Sequence, residues 1–188
     1  MPPRRWTGSD NPRTRTDLLD AAAKVLAEEG YGAVTARRVA GIAGVNAALV
    51  NYYFGTMDDL ILALFRRGAD AYLARLREAL AGPRPLRELW TISIETHGMA
   101  EFLALANRHE ALRAEIAVYA SRVRAIQAEA LTGMLRSRGA APEDFPPWAI
   151  MMLIESVSRL LTSDRALGIT AGHEELTEYV ERYIRRFE

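Results

Sequence analysis

Residues 34–54 constrain the fold of this chain more than any other stretch. They read as two short helices joined at a glycine. Thr35 suits the N-cap of the first, because its hydroxyl can accept a hydrogen bond from an amide that has no partner in the first turn. Val39, Ile42 and Ala43 then recur at helical spacing, an inward stripe that leaves Arg37 and Arg38 outside. Gly44 can take the left-handed conformation that ends a helix. Val45 fills the corner, Asn46 caps the second helix, and Leu49, Val50 and Phe54 turn inward. Asn51 and Tyr52 are left pointing out. A compact helix pair with polar and aromatic groups on its exposed end has the form of a helix-turn-helix, whose second helix enters the major groove of a duplex.

The rest of the chain also reads as helix. Residues 1–13 contain Pro2, Pro3, Gly8, Ser9 and Pro12 and are expected to be a disordered, basic arm. A helix is predicted over 14–29, with Leu18, Leu19, Ala22, Val25 and Leu26 inward and Gly30 as its stop. Thr56 and Asp59 make a variant of the capping box. The helix they open has Leu60, Ile61, Leu64, Phe65, Tyr72, Leu73, Leu76 and Leu80 on one face. Carried to Ala81, it is about 25 residues, or roughly 37 Å at 1.5 Å per residue. That is too long for a small head alone, and the prolines at 83 and 85 end it.

Further helices are predicted over 86–106, with a bend near Gly98, and over 110–138. Prolines at 142, 146 and 147 then lead into a helix over 147–163. Ile150, Leu153, Ile154, Val157, Leu160 and Leu161 line one face of it, and Trp148, Met151 and Met152 lie on another. Such a helix needs cover on two sides, and a subunit interface is the natural second cover. The last helix, over 174–187, is amphipathic, with an acidic start and a basic end that suit the helix dipole. Strand patterns are absent, so the fold class is all-α.

Composition narrows the function. The chain has no cysteine, hence no disulfide or thiolate metal site. No run of about 18 apolar residues marks a membrane span, and residues 1–6 lack the apolar core of a secretory signal; a cytoplasmic location is expected. Basic and acidic side chains balance at 24 each, but their distribution is uneven. Arg4, Arg5, Arg13 and Arg15 face only Asp10 before residue 17, and through Phe54 seven basic residues stand against five acidic ones. The histidines His97, His109 and His173 form no triad, and no phosphate loop, nucleophile elbow or paired-carboxylate site is present, which argues against an enzyme. His97 and Glu101 lie four apart, but two ligands make no metal site. Neither a metal nor a cofactor is expected.

Thr35, Ala40, Gly44-Val45-Asn46 and Val50-Asn51-Tyr52-Tyr53-Phe54-Gly55, followed by Thr56-Met57-Asp58-Asp59-Leu60, resemble the N-terminal domain of the TetR family of transcriptional regulators. So do the preceding helix and Tyr31-Gly32-Ala33-Val34. The resemblance covers about the first third of the chain. It implies a three-helix helix-turn-helix DNA-binding domain over 14–58 and a helical ligand-binding and dimerisation domain over 59–188. Among DNA-facing positions it implies Arg37 for a base or phosphate, and Tyr52 and Tyr53 for phosphate or a base edge, with a core aromatic as the competing reading of Tyr53. Asn51 stands where the family usually has an aromatic, and its amide can pair with adenine N6 and N7. Thr35 and Asn46 can donate to phosphate while capping. Ala47 and Ala48 replace residues that are often polar or basic, which favours contact with a thymine methyl. Met57 replaces a common lysine.

The same resemblance implies a homodimer through 147–163 and 174–187, a palindromic double-stranded DNA operator, and a small, largely apolar effector held among the body helices. Candidate effector-lining residues are Trp90, Ile94, His97, Phe102, Tyr119, Trp148, Met152 and Glu155, and for each apolar one core packing is the competing reading. Glu155 is most simply an i,i+4 ion pair with Arg159; with no counter-charge it would point to a polar or cationic ligand group. The function implied is a repressor released by its effector. A helical protein-interaction module of the same fold, without operator binding, is the alternative.

Overall fold

Helix α1, Pro12–Glu29, starts at a proline and not at residue 14. Proline suits the first helical position, where its missing N–H would have had no partner. Residues 12 and 13, expected in the arm, are therefore helical. The computed structural model describes residues 12–95, 99–139, 143 and 146–186, so the arm before Pro12 lies outside the described residues. Leu18, Leu19, Ala22, Val25 and Leu26 are buried as expected. Gly30, at φ 77°, ends the helix, and a 3-10 turn, Tyr31–Ala33, leads on.

Helices α2 (Ala36–Ala43) and α3 (Ala48–Phe54) follow, then α4 (Met57–Leu80). α2 packs on both α1 and α3. Leu18, Val25, Val39, Val50 and Leu60 have no exposed surface and form the centre of this first unit. Each such burial contributes about 1.5–3 kcal/mol relative to exposure. Arg67 of α4 reaches Asp20 of α1 at 2.7 Å. Both groups are substantially exposed, so the pair aligns the helices more than it stabilises them. The first unit runs past residue 58 to Gly68, within α4, and the second begins at Ala69.

The second unit contains the rest of α4 with α5 (Pro85–Glu95), α6 (Met99–Ala106), α7 (Glu110–Ser137), α8 (Pro147–Ala166) and α9 (His173–Ile184). α5 ends at Glu95 and α6 begins at Met99, and the bend predicted near Gly98 lies outside the described residues. α5 packs on α8 and more lightly on α7 and α9, while α7 packs on α6 and α8. Leu76, Leu89, Leu135, Met151 and Leu161 are fully buried at the centre. At the turn into α9, His173 Nε2 lies 3.0 Å from Asp164 Oδ2, and Gly168 and Gly172 take positive φ. α8 continues beyond residue 163 to Ala166, and α9 ends at Ile184; Phe187 lies outside the described residues. All strands are absent among the described residues, and no helix there is long and apolar enough to cross a membrane.

The two faces predicted for α8 are not the ones the structure separates: Leu161 from one and Met151 from the other turn inward together. Met151, Ser158 and Leu161 are buried. Trp148, Met152, Leu153 and Leu160 are each more than half exposed. On α9, Tyr179 and Tyr183 are exposed as well.

Candidate nucleic-acid interface

Local hydrogen bonds set the helix-turn-helix. Thr35 is extended, and its Oγ1 accepts the Arg38 N–H at 3.2 Å, as an N-cap should. Gly44 sits in the left-handed region at φ 69°, and the Val45 N–H donates to the Ala40 carbonyl at 3.0 Å. That bond closes the corner. Asn46 Oδ1 then accepts the Ala48 N–H at 2.8 Å, and the Asn46 carbonyl accepts the Leu49 N–H at 3.0 Å. Asn46 thus caps α3 through a tight first turn, and Ala47 enters it in helical conformation.

Val50 and Phe54 anchor α3 inward, while Leu49 and Tyr53 are half-buried. Asn51 and Tyr52 point out, Tyr52 with 63% of its surface exposed. The Tyr52 ring meets Tyr53 edge to face, centroids 5.1 Å apart, which stiffens both. Thr35, Arg37, Asn46 and Ala48 are exposed too, and Ala47 is half-buried. After Gly55, at φ 78°, Thr56 Oγ1 accepts the Asp59 N–H at 3.1 Å and donates to the Asp59 carboxylate at 2.7 Å. The capping box closes through this hydroxyl, because the Thr56 N–H is already given to the Phe54 carbonyl.

The two adjacent arginines of α2 differ in use. Arg38 is forked onto Glu29 of α1, with Nε 3.0 and 3.1 Å from the two carboxylate oxygens and a second nitrogen at 2.6 Å. These hydrogen bonds hold Glu29 below its ordinary pKa and raise that of Arg38. Arg38, though exposed, therefore ties α2 to α1, and Arg37 is exposed beside it. Arg15, counted from sequence only as part of the basic arm, lies 5.1 Å over the Phe54 ring. This cation–π contact brings a positive charge to the end of α3. Its signal in the sequence is position: Arg15 precedes Leu18 by three, at the edge of the inward face of α1.

The body candidates are scattered. Trp90 and Tyr119 are buried, and Ile94 and Phe102 are half-buried. Burial, then neighbouring Tyr72, raises the pKa of the Tyr119 hydroxyl, which stays neutral. Tyr72 and Tyr119 meet edge to face at 6.1 Å. Trp148 and Met152 are on the exposed face of α8 and line no interior space of the protomer, contrary to expectation; α8 turns Met151 and Leu161 inward instead. His97 lies outside the described residues, and the His97–Glu101 pairing with it.

Glu155 makes the expected i,i+4 ion pair with Arg159 but has a closer partner besides. Its main partner is Arg124 of α7, with Nε at 3.3 Å and a terminal nitrogen at 3.2 Å; Arg159 is at the 4.0 Å limit. The packing of α7 on α8 supplies a counter-charge that helical spacing within α8 does not reveal, and the condition for a cationic ligand at Glu155 is not met. Gln127, passed over in the sequence, is 1% exposed. Its Oε1 and the Trp90 indole N–H are both buried without a hydrogen-bond partner. The signal for Gln127 is the stripe Tyr119, Val123, Gln127, Leu131, Leu135, in which it holds the central place.

Residues 18–64 match the family model for bacterial regulatory proteins of the tetR family. The chain is 32% identical over 125 residues to the HTH-type transcriptional regulator BetI of Rhizobium meliloti, across 60% of this chain and 62% of that protein. It is 31% identical over 132 residues to the HTH-type transcriptional repressor NicS of Pseudomonas putida, across 66% of this chain and 60% of that one. The matched segment thus spans less than two thirds of the length of either relative. Among solved structures, a TetR transcription regulator from Haloarcula marismortui superposes with a TM-score of 0.73 at 18% identity, over 93% of this chain and 97% of that one. At that identity the likeness is one of fold.

Proposed function

We propose that this chain, a member of the tetR family of bacterial regulatory proteins, is a repressor that binds a palindromic operator as a homodimer and is released by a small, largely apolar molecule. The observation that carries the reading is the outer face of α3. Val50 and Phe54 fix the helix from inside, and Asn51 and Tyr52 are held outward. An outward asparagine amide offers one donor and one acceptor at the spacing of adenine N6 and N7. Tyr52 and Tyr53 present hydroxyls for phosphate or a base edge, and Arg37 adds a charge for the backbone. Thr35 and Asn46 use their side-chain oxygens as caps, which leaves the threonine hydroxyl proton and the asparagine NH2 group to donate to phosphate. Ala47 and Ala48 offer methyls to thymine.

The dimer is supported by the uncovered apolar face of α8 with Tyr179 and Tyr183 of α9. A symmetric pair presents the same face twice, and its recognition helices would meet half-sites about one helical turn, roughly 34–36 Å, apart or a small multiple of it. An effector acts by preferring one head spacing, for which a few kcal/mol of preference is enough.

Footprinting on DNA adjacent to the protein's own coding region tests the reading. A protected pseudopalindrome is expected, bound more weakly as salt rises and lost in the Arg37→Ala, Tyr52→Ala double variant. Failure to protect any site at low salt would instead favour a helical interaction module without operator binding.

A further inference from the structure

At the junction of α5 and α7 a small void is lined by Gln127 and by Leu80, Leu86, Leu89, Leu131 and Met134. It has room for about one water-sized group, about 10 Å³. Gln127 is the polar residue in this apolar wall. It is almost wholly buried, and its carbonyl oxygen finds no donor. A buried acceptor without a partner is costly, and cores of this kind are ordinarily filled by leucine or methionine at such a position. The neighbouring helix repeats the pattern, since Trp90 of α5 buries an indole N–H that has no acceptor. Packed helices α5 and α7 thus each hold an unmet polar atom, of opposite kind, among apolar side chains.

We infer that Gln127 is the polar anchor of the effector site, and that the effector is an apolar molecule ending in a hydrogen-bond donor, a hydroxyl or N–H group. This rests on the reading of the body as an effector-binding domain. The donor group enters the void and satisfies Gln127 Oε1. The apolar body displaces the surrounding side chains, of which Met134, unbranched and flexible, yields most easily. A site built around an unmet acceptor discriminates strongly against a ligand of the same shape that has no donor.

Benzyl alcohol and toluene, near in shape and different in the donor, are the probes. Calorimetric titration of the full chain is expected to show benzyl alcohol binding roughly tenfold tighter than toluene, the margin of one hydrogen bond to an otherwise unmet group. In Gln127→Met, of similar volume, the two probes should bind alike, and the unliganded variant should melt at a higher temperature. Equal affinity in the wild-type chain, a preference that survives Gln127→Met, or no binding of either probe would overturn the assignment; the wild-type comparison stands even if the variant does not fold. Titrating operator DNA with the same preparations separates the two readings. DNA binding without probe discrimination refutes the Gln127 site alone, whereas loss of DNA binding in the wild type refutes the regulator reading.

Discussion

Asn51 and Thr35 show how differently two polar residues of one motif should respond to loss. Thr35 spends its oxygen on the Arg38 amide, so Thr35→Ala should cost about 1 kcal/mol of stability, the usual worth of an N-cap, measured by urea denaturation. Asn51 is exposed and outside the apolar contacts of α3, so Asn51→Ala should leave the melting curve unchanged. Its effect belongs to selectivity. Discrimination at one base pair in each half-site should fall by about 1–3 kcal/mol, read from a competition assay over single-base operator variants. Unchanged selectivity would remove Asn51 from the base-contacting set. Glu29 adds a pH signature. Its pKa is depressed in the folded chain, first by the hydrogen bonds from Arg38, so its contribution is present above the ordinary glutamate value and fades as pH falls through the lowered one. The stability gap between wild type and Glu29→Gln should therefore be open at neutral pH and closed in strong acid. The caps at Thr35, Asn46 and Thr56 were legible in the sequence, because capping depends on residues within three of each other. The Glu29–Arg38 fork was not, since its partners sit on separate helices whose packing angle no local pattern encodes.

At the scale of elements, periodicity located the helices well and their neighbours poorly. The α8 sequence announced two apolar sides, one with Leu153, Leu160 and Leu161 and one with Met151, whereas the structure turns Met151 and Leu161 inward together and leaves Leu153 and Leu160 outside. Both sides are apolar, and only the other helices decide between them. Glu155 is the same lesson in charge. Within α8 the eye pairs it with Arg159, whereas the packing of α7 against α8 delivers Arg124. The two arginines should then be unequal. Arg124→Ala leaves a half-buried carboxylate without its main donor and should cost about 1–3 kcal/mol. Arg159→Ala removes an exposed partner at the limit of contact and should change stability by less than about 0.5 kcal/mol. Denaturation of the two variants side by side decides it, and equal losses would restore the pairing within α8.

For the molecule as a whole, the balance of 24 basic against 24 acidic side chains poses the question of how a duplex is held at all. One head offers a small positive excess, Arg37 and the stacked Arg15 among it, and so few phosphate contacts give weak binding at physiological salt. Pairing two heads on one duplex adds no new kind of contact. It turns the second half-site into an intramolecular event, which raises apparent affinity by about 10²–10⁴ when the geometry permits both. On the proposed dimer, the apolar face of α8 would indirectly be a DNA-binding determinant. Leu160 is 52% exposed on that face and away from the buried side of its helix, so Leu160→Asp should spare the fold while placing a charge where the partner would pack. Far-UV circular dichroism should be unchanged, and sedimentation at micromolar concentration should shift from dimer to monomer. Operator affinity should drop by the factor that pairing contributed. The slope of log affinity against log salt should fall by about half, because each monomer neutralises half as many phosphates. A Leu160→Asp protein that still sediments as a dimer would place the interface elsewhere. One that becomes monomeric yet keeps full affinity and slope would show that a single head suffices, and the paired reading of the operator would have to be given up.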